Sequence, residues 1–167
     1  MSDLTPVQEA RVLTVRQPWA WALIHGGKSV ENRSRNIAGA YRGPVAIHAA
    51  RSFGAMSEYA EATHTVRRLT GGLMGEEVPG AIIGVVDLVS VHSSEDGGLD
   101  VLRRDPQGEI AEFTGCSPWA DPNVYHLVLA NPRPLSEPIP YKGALGLRRL
   151  PAEVVAAINA DLGTVQA

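Results

Sequence analysis

The sequence predicts an α+β fold: a small mixed β-barrel with helices on its outside and ends. Three observations lead there. Segments with strand character outnumber segments with helical period. Glycines fall where strands would have to bend. The run Ala81 to Val86 is continuously apolar, as expected of a strand buried on both faces. At 167 residues the chain fits one domain with a real core. With 44% hydrophobic and 20% charged residues it reads as globular. No internal repeat or linker is visible. The expected organisation is a loose leader over 1–10, one domain over 11–150, and a C-terminal helix and tail over 151–167.

The elements follow in order. Arg11 to Arg16, with Val12, Leu13 and Val15, reads as a first strand. Pro18 suits the first helical position, and Trp19 to His25 is apolar nearly all round, so this short helix should be buried. Gly26-Gly27 ends it. Lys28, Val30 and Asn32 then alternate with Ser29, Glu31 and Arg33, the period of a strand. Glu31, Arg33 and Arg35 are expected on one face. Residues 37–42 read as a loop and Pro44 to Ala49 as a strand. Ser57 is placed to cap a helix reaching Thr70, with Tyr59, Thr63, Val66 and Leu69 as its packing stripe. Arg67 and Arg68 favour its C-terminal end, and Gly71-Gly72 stops it. Gly80 to His92 is a long strand in which Gly84 marks a bulge or bend. Leu99 to Arg104 reads as a strand or one helical turn, and 116–122 as a structured loop. Asn123 to Ala130 is a strand, the Pro-rich 132–140 an extended connection, and Leu145 to Leu150 a last short strand. Pro151 opens a helix with Val154, Val155, Ile158 and Leu162 on one face, ending at Gly163.

Charge narrows the function. The whole chain carries −3, yet residues 11–51 hold seven cations (Arg11, Arg16, Lys28, Arg33, Arg35, Arg42, Arg51) and one acid, Glu31, a net of +6. The rest of the chain therefore carries −9. A local basic surface on an acidic protein suits an anionic ligand better than bulk, non-specific nucleic-acid binding. No run of 18 apolar residues appears, so no membrane contact is expected. Met1 to Glu9 lacks the charged-then-apolar pattern of a signal peptide, and cytoplasmic location is the default. The single cysteine, Cys116, rules out an internal disulfide. His25, His64, His92 and His126 show no metal-ligand spacing with one another or with Cys116, so no metal and no cofactor is expected. Neither a P-loop nor a Gly-x-Gly-x-x-Gly fingerprint is present.

Residues 16–35 concentrate the chemistry: one carboxylate among cations, beside Trp19 and Trp21. Gly27-Lys28-x-x-Glu31-x-Arg33 after a Pro-Trp-Ala helix resembles the motif of the ASCH domain, the activating-signal-cointegrator homology domain of the PUA-like superfamily. The strand Gly80 to Val89 resembles that family's central strand. Tyr125 to Leu129, Pro132-x-Pro134-Leu135 and Pro138-x-Pro140-x-x-Gly143-x-x-Gly146-Leu147 resemble its closing part. The resemblance spans roughly residues 12–150; Arg148 stands where relatives often carry Trp. It implies a PUA-like barrel holding RNA or a nucleotide in a cleft beside the barrel. It also brings an alternative, since some small bacterial relatives are amidohydrolases on acetylated cytidine. In those a Lys and a Thr of this motif, with a distant Glu, carry the reaction. Here Glu31 occupies the Thr position, and a carboxylate does not replace an activated hydroxyl. Other relatives have been proposed as ribonucleases.

The candidate contacts are Arg16, Trp19, Lys28, Glu31, Arg33, Arg35, His48, Arg51 and Trp119. Lys28 can hold a phosphate or act as a base, and Glu31 can accept from a base's exocyclic amine or move a proton. These two are the catalytic pair if the protein is an enzyme; otherwise they form an ion pair fixing the helix–strand corner. Trp19 is either core or a base platform. Trp119, in a Pro-flanked polar loop, is the better stacking candidate. His48 and Asp87 each have a structural and a ligand-contacting reading. The favoured function is a binding module for RNA or single-stranded nucleic acid, or a nucleotide, with a modified base included. A hydrolase in the same cleft and a protein-interaction domain are the alternatives.

Overall fold

The computed structural model describes residues 6–93, 101–104, 110–114 and 116–164. The strands among the described residues are β1 (Arg11–Val15), β2 (Val30–Arg33), β3 (Gly43–Ala49), β4 (Ala81–Ser93), β5 (Val101–Arg104), β6 (Ile110–Thr114), β7 (Tyr125–Pro140) and β8 (Leu147–Arg149). The helices among the described residues are α1 (Trp19–His25), α2 (Met56–Leu69) and α3 (Ala152–Thr164). Six strands form one sheet in the order β2-β7-β4-β3-β1-β8, and β5 pairs with β6 apart from it. Only β1 and β3 run parallel; the other pairings are antiparallel. The predicted α+β mixed barrel is thus a sheet curled into a half-barrel, with β2 and β8 as its two edges.

Strand periodicity explains how both faces are buried. Leu13 and Val15 of β1 join Ile47, Val86 and Leu127 in a core that α1 covers with Ala20, Leu23 and Ile24. Val12, Ala46, Ile82 and Val85 point the other way, onto Val155 and Ile158 of α3. Each such aliphatic side chain removed from water contributes roughly 1.5–3 kcal/mol. At Gly84 α1 approaches the sheet closely: a Cβ there would lie 2.7 Å from Ile24 Cδ1 and 2.8 Å from Arg133 O. The β4–β7 register shifts between Ile82 and Gly84, so the bulge expected at this glycine is present.

Several boundaries differ from the sequence reading. Pro18 precedes α1 as its N-cap residue, and the orphan N–H of Trp21 donates instead to buried Gln17 Oε1 at 2.9 Å. α2 starts one residue before Ser57; Ala55 in extended conformation is its N-cap, without a side-chain cap. The segment 132–140 is strand, not connection. β2 pairs only with Tyr125–Val128 and Leu129 N–H reaches Ser29 O at 2.8 Å; beyond Leu129, among the described residues, no strand pairs with β7 on that side. Prolines can turn their missing N–H toward that open side without losing a ladder bond. α3 runs through Gly163 to Thr164. In the described part of the leader Val7 and Ala10 are buried: the Val7 N–H donates to Asn159 Oδ1 of α3 at 2.9 Å, and Asn159 Nδ2 donates to Val7 O at 2.8 Å. Leu99 falls outside the described residues, and 101–104 are strand. Among the described residues no helix is long and apolar enough to cross a membrane.

Candidate functional site

The site starts from the end of α1. Gly26 N–H closes the helix on Ala22 O at 3.0 Å, and Gly27 takes φ +73°, a conformation that costs a residue with a Cβ but not glycine. The chain turns there so that Lys28 N–H also reaches Ala22 O at 3.0 Å. This tucks the Lys28 side chain inward, only 5% exposed. Its Nζ donates to Val30 O and, at 2.9 Å, to Glu31 Oε2. The ammonium also lies 5.7 Å from the centroid of the Trp19 ring, within cation–π range.

Glu31 Oε1 meets Arg33 Nη2 at 3.0 Å. A carboxylate that is 8% exposed therefore has a cation on each oxygen. Such a buried charge is tolerable only with this pairing. Arg33 Nη2 donates onward to Thr14 O at 3.1 Å. This bond reaches from the β2 edge to β1, next to the opposite edge, and so spans the open seam of the half-barrel.

A cleft of about 1080 Å³ lies at that seam. Its walls come from the end of β1, from β2, from the end of β3 and from residues 140–146 between β7 and β8. Arg16, Arg51 and Lys142 are exposed on its lining, beside half-buried Trp19 and Arg33. Arg16 Nη1 is shared with Glu58 at 3.2 Å, a solvent-exposed contact of little strength.

His48 fixes the loop wall. Its Nε2 lies 2.9 Å from Tyr141 O, an acceptor, so Nε2 carries the proton. Nδ1, 3.2 Å from Thr14 Oγ1, then accepts from that hydroxyl, which in turn accepts Ala144 N–H at 3.2 Å. Burial pushes the His48 pKa below 6.5, while the bond to Tyr141 O pulls the other way. Gly143 permits the approach: a Cβ there would stand 2.6 Å from His48 Cε1 and 2.7 Å from Thr14 Oγ1.

Of the candidate residues, Arg16, Trp19, Glu31, Arg33, His48 and Arg51 line the cleft. Three others lie outside its lining. Lys28 is packed behind it, bonded to Val30 and Glu31. Arg35 is exposed beyond the end of β2 at Arg33, so the alternation that would have placed it beside Glu31 has stopped. Trp119 is buried against Trp21, Ala22 and Val66 rather than offered for stacking, and its carbonyl accepts from Asn32 Nδ2 at 2.9 Å. Asp87 is engaged by Arg133 and by Asn131 Nδ2, away from the cleft. Sequence reasoning did not single out Thr14, Tyr141 or Lys142. The spaced glycines Gly143 and Gly146 were the available signal that this segment turns tightly against something.

The α+β fold is thus a curled sheet with a cation-lined cleft at its seam. The sequence matches the ASCH domain family over residues 13–107, more than half of its length, and the protein belongs to that family. Solved structures agree in fold. ASCH from Zymomonas mobilis aligns with a TM-score of 0.51 and 15% identity, covering 90% of this chain and 94% of that one. A single-residue mutant of the same protein gives 0.51 and 15%, covering 90% and 96%. Among curated proteins none matches.

Proposed function

We propose that the cleft binds single-stranded nucleic acid, RNA in particular, taking in one nucleotide at a time. The observation that carries this is the positive lining: Arg16, Arg33, Arg51 and Lys142 gathered on one cleft of a chain whose net charge is −3. A phosphate backbone running along the exposed Arg16, Arg51 and Lys142 would be neutralised by them. Membership in the ASCH family points to nucleic-acid binding in general. The volume of about 1080 Å³ is ample for a nucleotide, being at the upper end of small-molecule sites.

The polarity of the floor suits a base. Glu31, held by Lys28 and Arg33, keeps acceptor capacity on its carboxylate, which has about four lone-pair sites. A base's exocyclic amine can donate there, and Trp19 can contribute about 1–3 kcal/mol if a base stacks on it. The hydrolytic alternative draws less support. Lys28 is packed away from the cleft, and the hydroxyl nearest the motif, Ser29 Oγ, is bonded to Ser117 Oγ at 2.9 Å.

Fluorescence anisotropy with labelled single-stranded RNA, single-stranded DNA and duplex, each competed with free nucleotides and modified nucleosides, tests this. Single strands should bind more tightly than duplex, with competition by a nucleotide. Duplex binding equal to single-strand binding, without nucleotide competition, would sink the reading.

A further inference from the structure

We propose that His92, Cys116 and His126 form a binding site for a zinc-class transition metal ion, separate from the cleft. The three residues are 24 and 10 positions apart in sequence, a spacing that announces no ligand set. The fold brings them together. β4 and β7 pair with His92 opposite His126, so both rings leave the same face of the sheet. Cys116 approaches from the loop preceding β7.

The distances fit a tetrahedral ion. Bonds of about 2.0–2.1 Å to nitrogen and about 2.3 Å to sulfur give tetrahedral edges near 3.3–3.4 Å for N···N and near 3.5–3.6 Å for N···S. His126 Nδ1 lies 3.3 Å from His92 Nε2 and 3.5 Å from Cys116 Sγ. All three ligand atoms lie within 4.8 Å of one another, so the third edge has to close by at most about 1.3 Å.

The surroundings orient the ligands. His126 Nε2 donates to Asp121 O at 2.6 Å, which sets the tautomer in which Nδ1 carries no proton, the form that ligates a metal. A hydrogen bond of that kind on the remote nitrogen typically accompanies a metal-bound histidine. The loop carrying Cys116 is pinned beside it. Ser117 Oγ meets Ser29 Oγ at 2.9 Å, and Asn32 and Asp121 exchange two bonds, at 3.0 and 3.1 Å. His126 is fully buried, His92 half-buried and Cys116 exposed, so an ion can enter from the Cys116 side.

Two imidazoles and one thiolate select borderline and soft ions over Mg²⁺ and Ca²⁺, which take oxygen ligands. Binding would replace the Cys116 S–H proton, released to solvent, by an S–metal bond. Solvent would supply the fourth ligand. An ion here would fasten the 116–122 loop to β4 and β7, and Asp121 and Asn32 would carry that restraint into β2, next to Glu31 and Arg33.

The test uses the full chain, stripped with a chelator and titrated with Co²⁺ as a spectroscopic probe. Expected are one equivalent bound, a thiolate-to-Co²⁺ charge-transfer band in the near ultraviolet, strong tetrahedral d–d bands, and displacement by Zn²⁺. Cys116→Ser should abolish the charge-transfer band, and His92→Gln should weaken binding by about tenfold or more. A measurement on the unaltered protein guards against misfolded variants: Zn²⁺, but not Mg²⁺, should slow alkylation of Cys116. Absence of the charge-transfer band, its persistence in Cys116→Ser, or alkylation indifferent to Zn²⁺ would each overturn the assignment. The three residues would then be a hydrogen-bonded His–His–Cys cluster only.

Discussion

Replacing Lys28 by Met keeps the length of the side chain and removes its charge. The structure makes the cost large. The Lys28 side chain is 3% exposed and that of Glu31 10%, with 2.9 Å between their charged atoms. Losing the ammonium deprives Glu31 Oε2 of one charged hydrogen bond and Val30 O of its donor. A hydrogen bond to a charged group contributes about 1.5–3 kcal/mol, and breaking a buried ion pair outright costs about 3–5 kcal/mol. Arg33 still holds Oε1 at 3.0 Å, so Glu31 is not orphaned and the cost falls toward the first of these ranges. We expect a loss of about 2–3 kcal/mol, which for a chain of this size lowers Tm by about 4–12 °C. Urea unfolding should show a lower midpoint with unchanged slope. The double variant Lys28→Met with Glu31→Gln should recover part of the loss, because the buried carboxylate that has lost one of its two cations is gone. A Lys28→Met midpoint equivalent to less than about 0.5 kcal/mol of change would refute the corner as an ion-paired element.

Other consequences follow from the loop wall of the cleft. His48 has its folded pKa below 6.5, so the unfolded chain takes up the proton first as pH falls. The stability linked to it is complete above 6.5 and is lost as pH drops through the lowered folded value; His48→Gln should flatten that part of the stability–pH curve, and an unchanged slope would contradict the assignment. Gly143→Ala places a Cβ 2.6 Å from His48 Cε1 and should displace the loop. Overpacking of this sort costs about 1–3 kcal/mol, and single-strand affinity should fall with it; wild-type melting and affinity together would argue against the close contact.

Much of the architecture was legible because it rests on local pattern. The apolar run of β4, the alternation of β1 and β3, the all-apolar α1 and the Gly27 corner each encode their structure within a few residues. The strand over 132–140 was not legible, because prolines argue against a strand unless one side is known to be open, and that depends on where β2 ends. That Glu31 and Arg33 sit together could be read from their shared strand face, and both line the cleft. Lys28 could not be told from a contact residue, because its inward turn follows from the Gly27 conformation and the packing of Trp19. The burial of Trp119 could not be read from the polarity of its loop, which lays that ring on Trp21 and Val66. Thr14, Tyr141 and the His92–Cys116–His126 cluster join residues far apart in the chain, and no periodicity carries such information.

The central claim is that the cleft neutralises the phosphates of a single strand. The most direct measurement is the affinity of the wild type and of Arg51→Ala and Lys142→Ala for single-stranded RNA across a range of salt. Both side chains are exposed on the cleft lining, so neither change should disturb the fold. With contacts to two or three phosphates, log affinity should fall with log salt at a slope of about −1.4 to −2.1, and each variant should reduce that slope by about 0.7. Affinity indifferent to salt, slopes unaltered by both substitutions, or no binding at low salt would contradict the account.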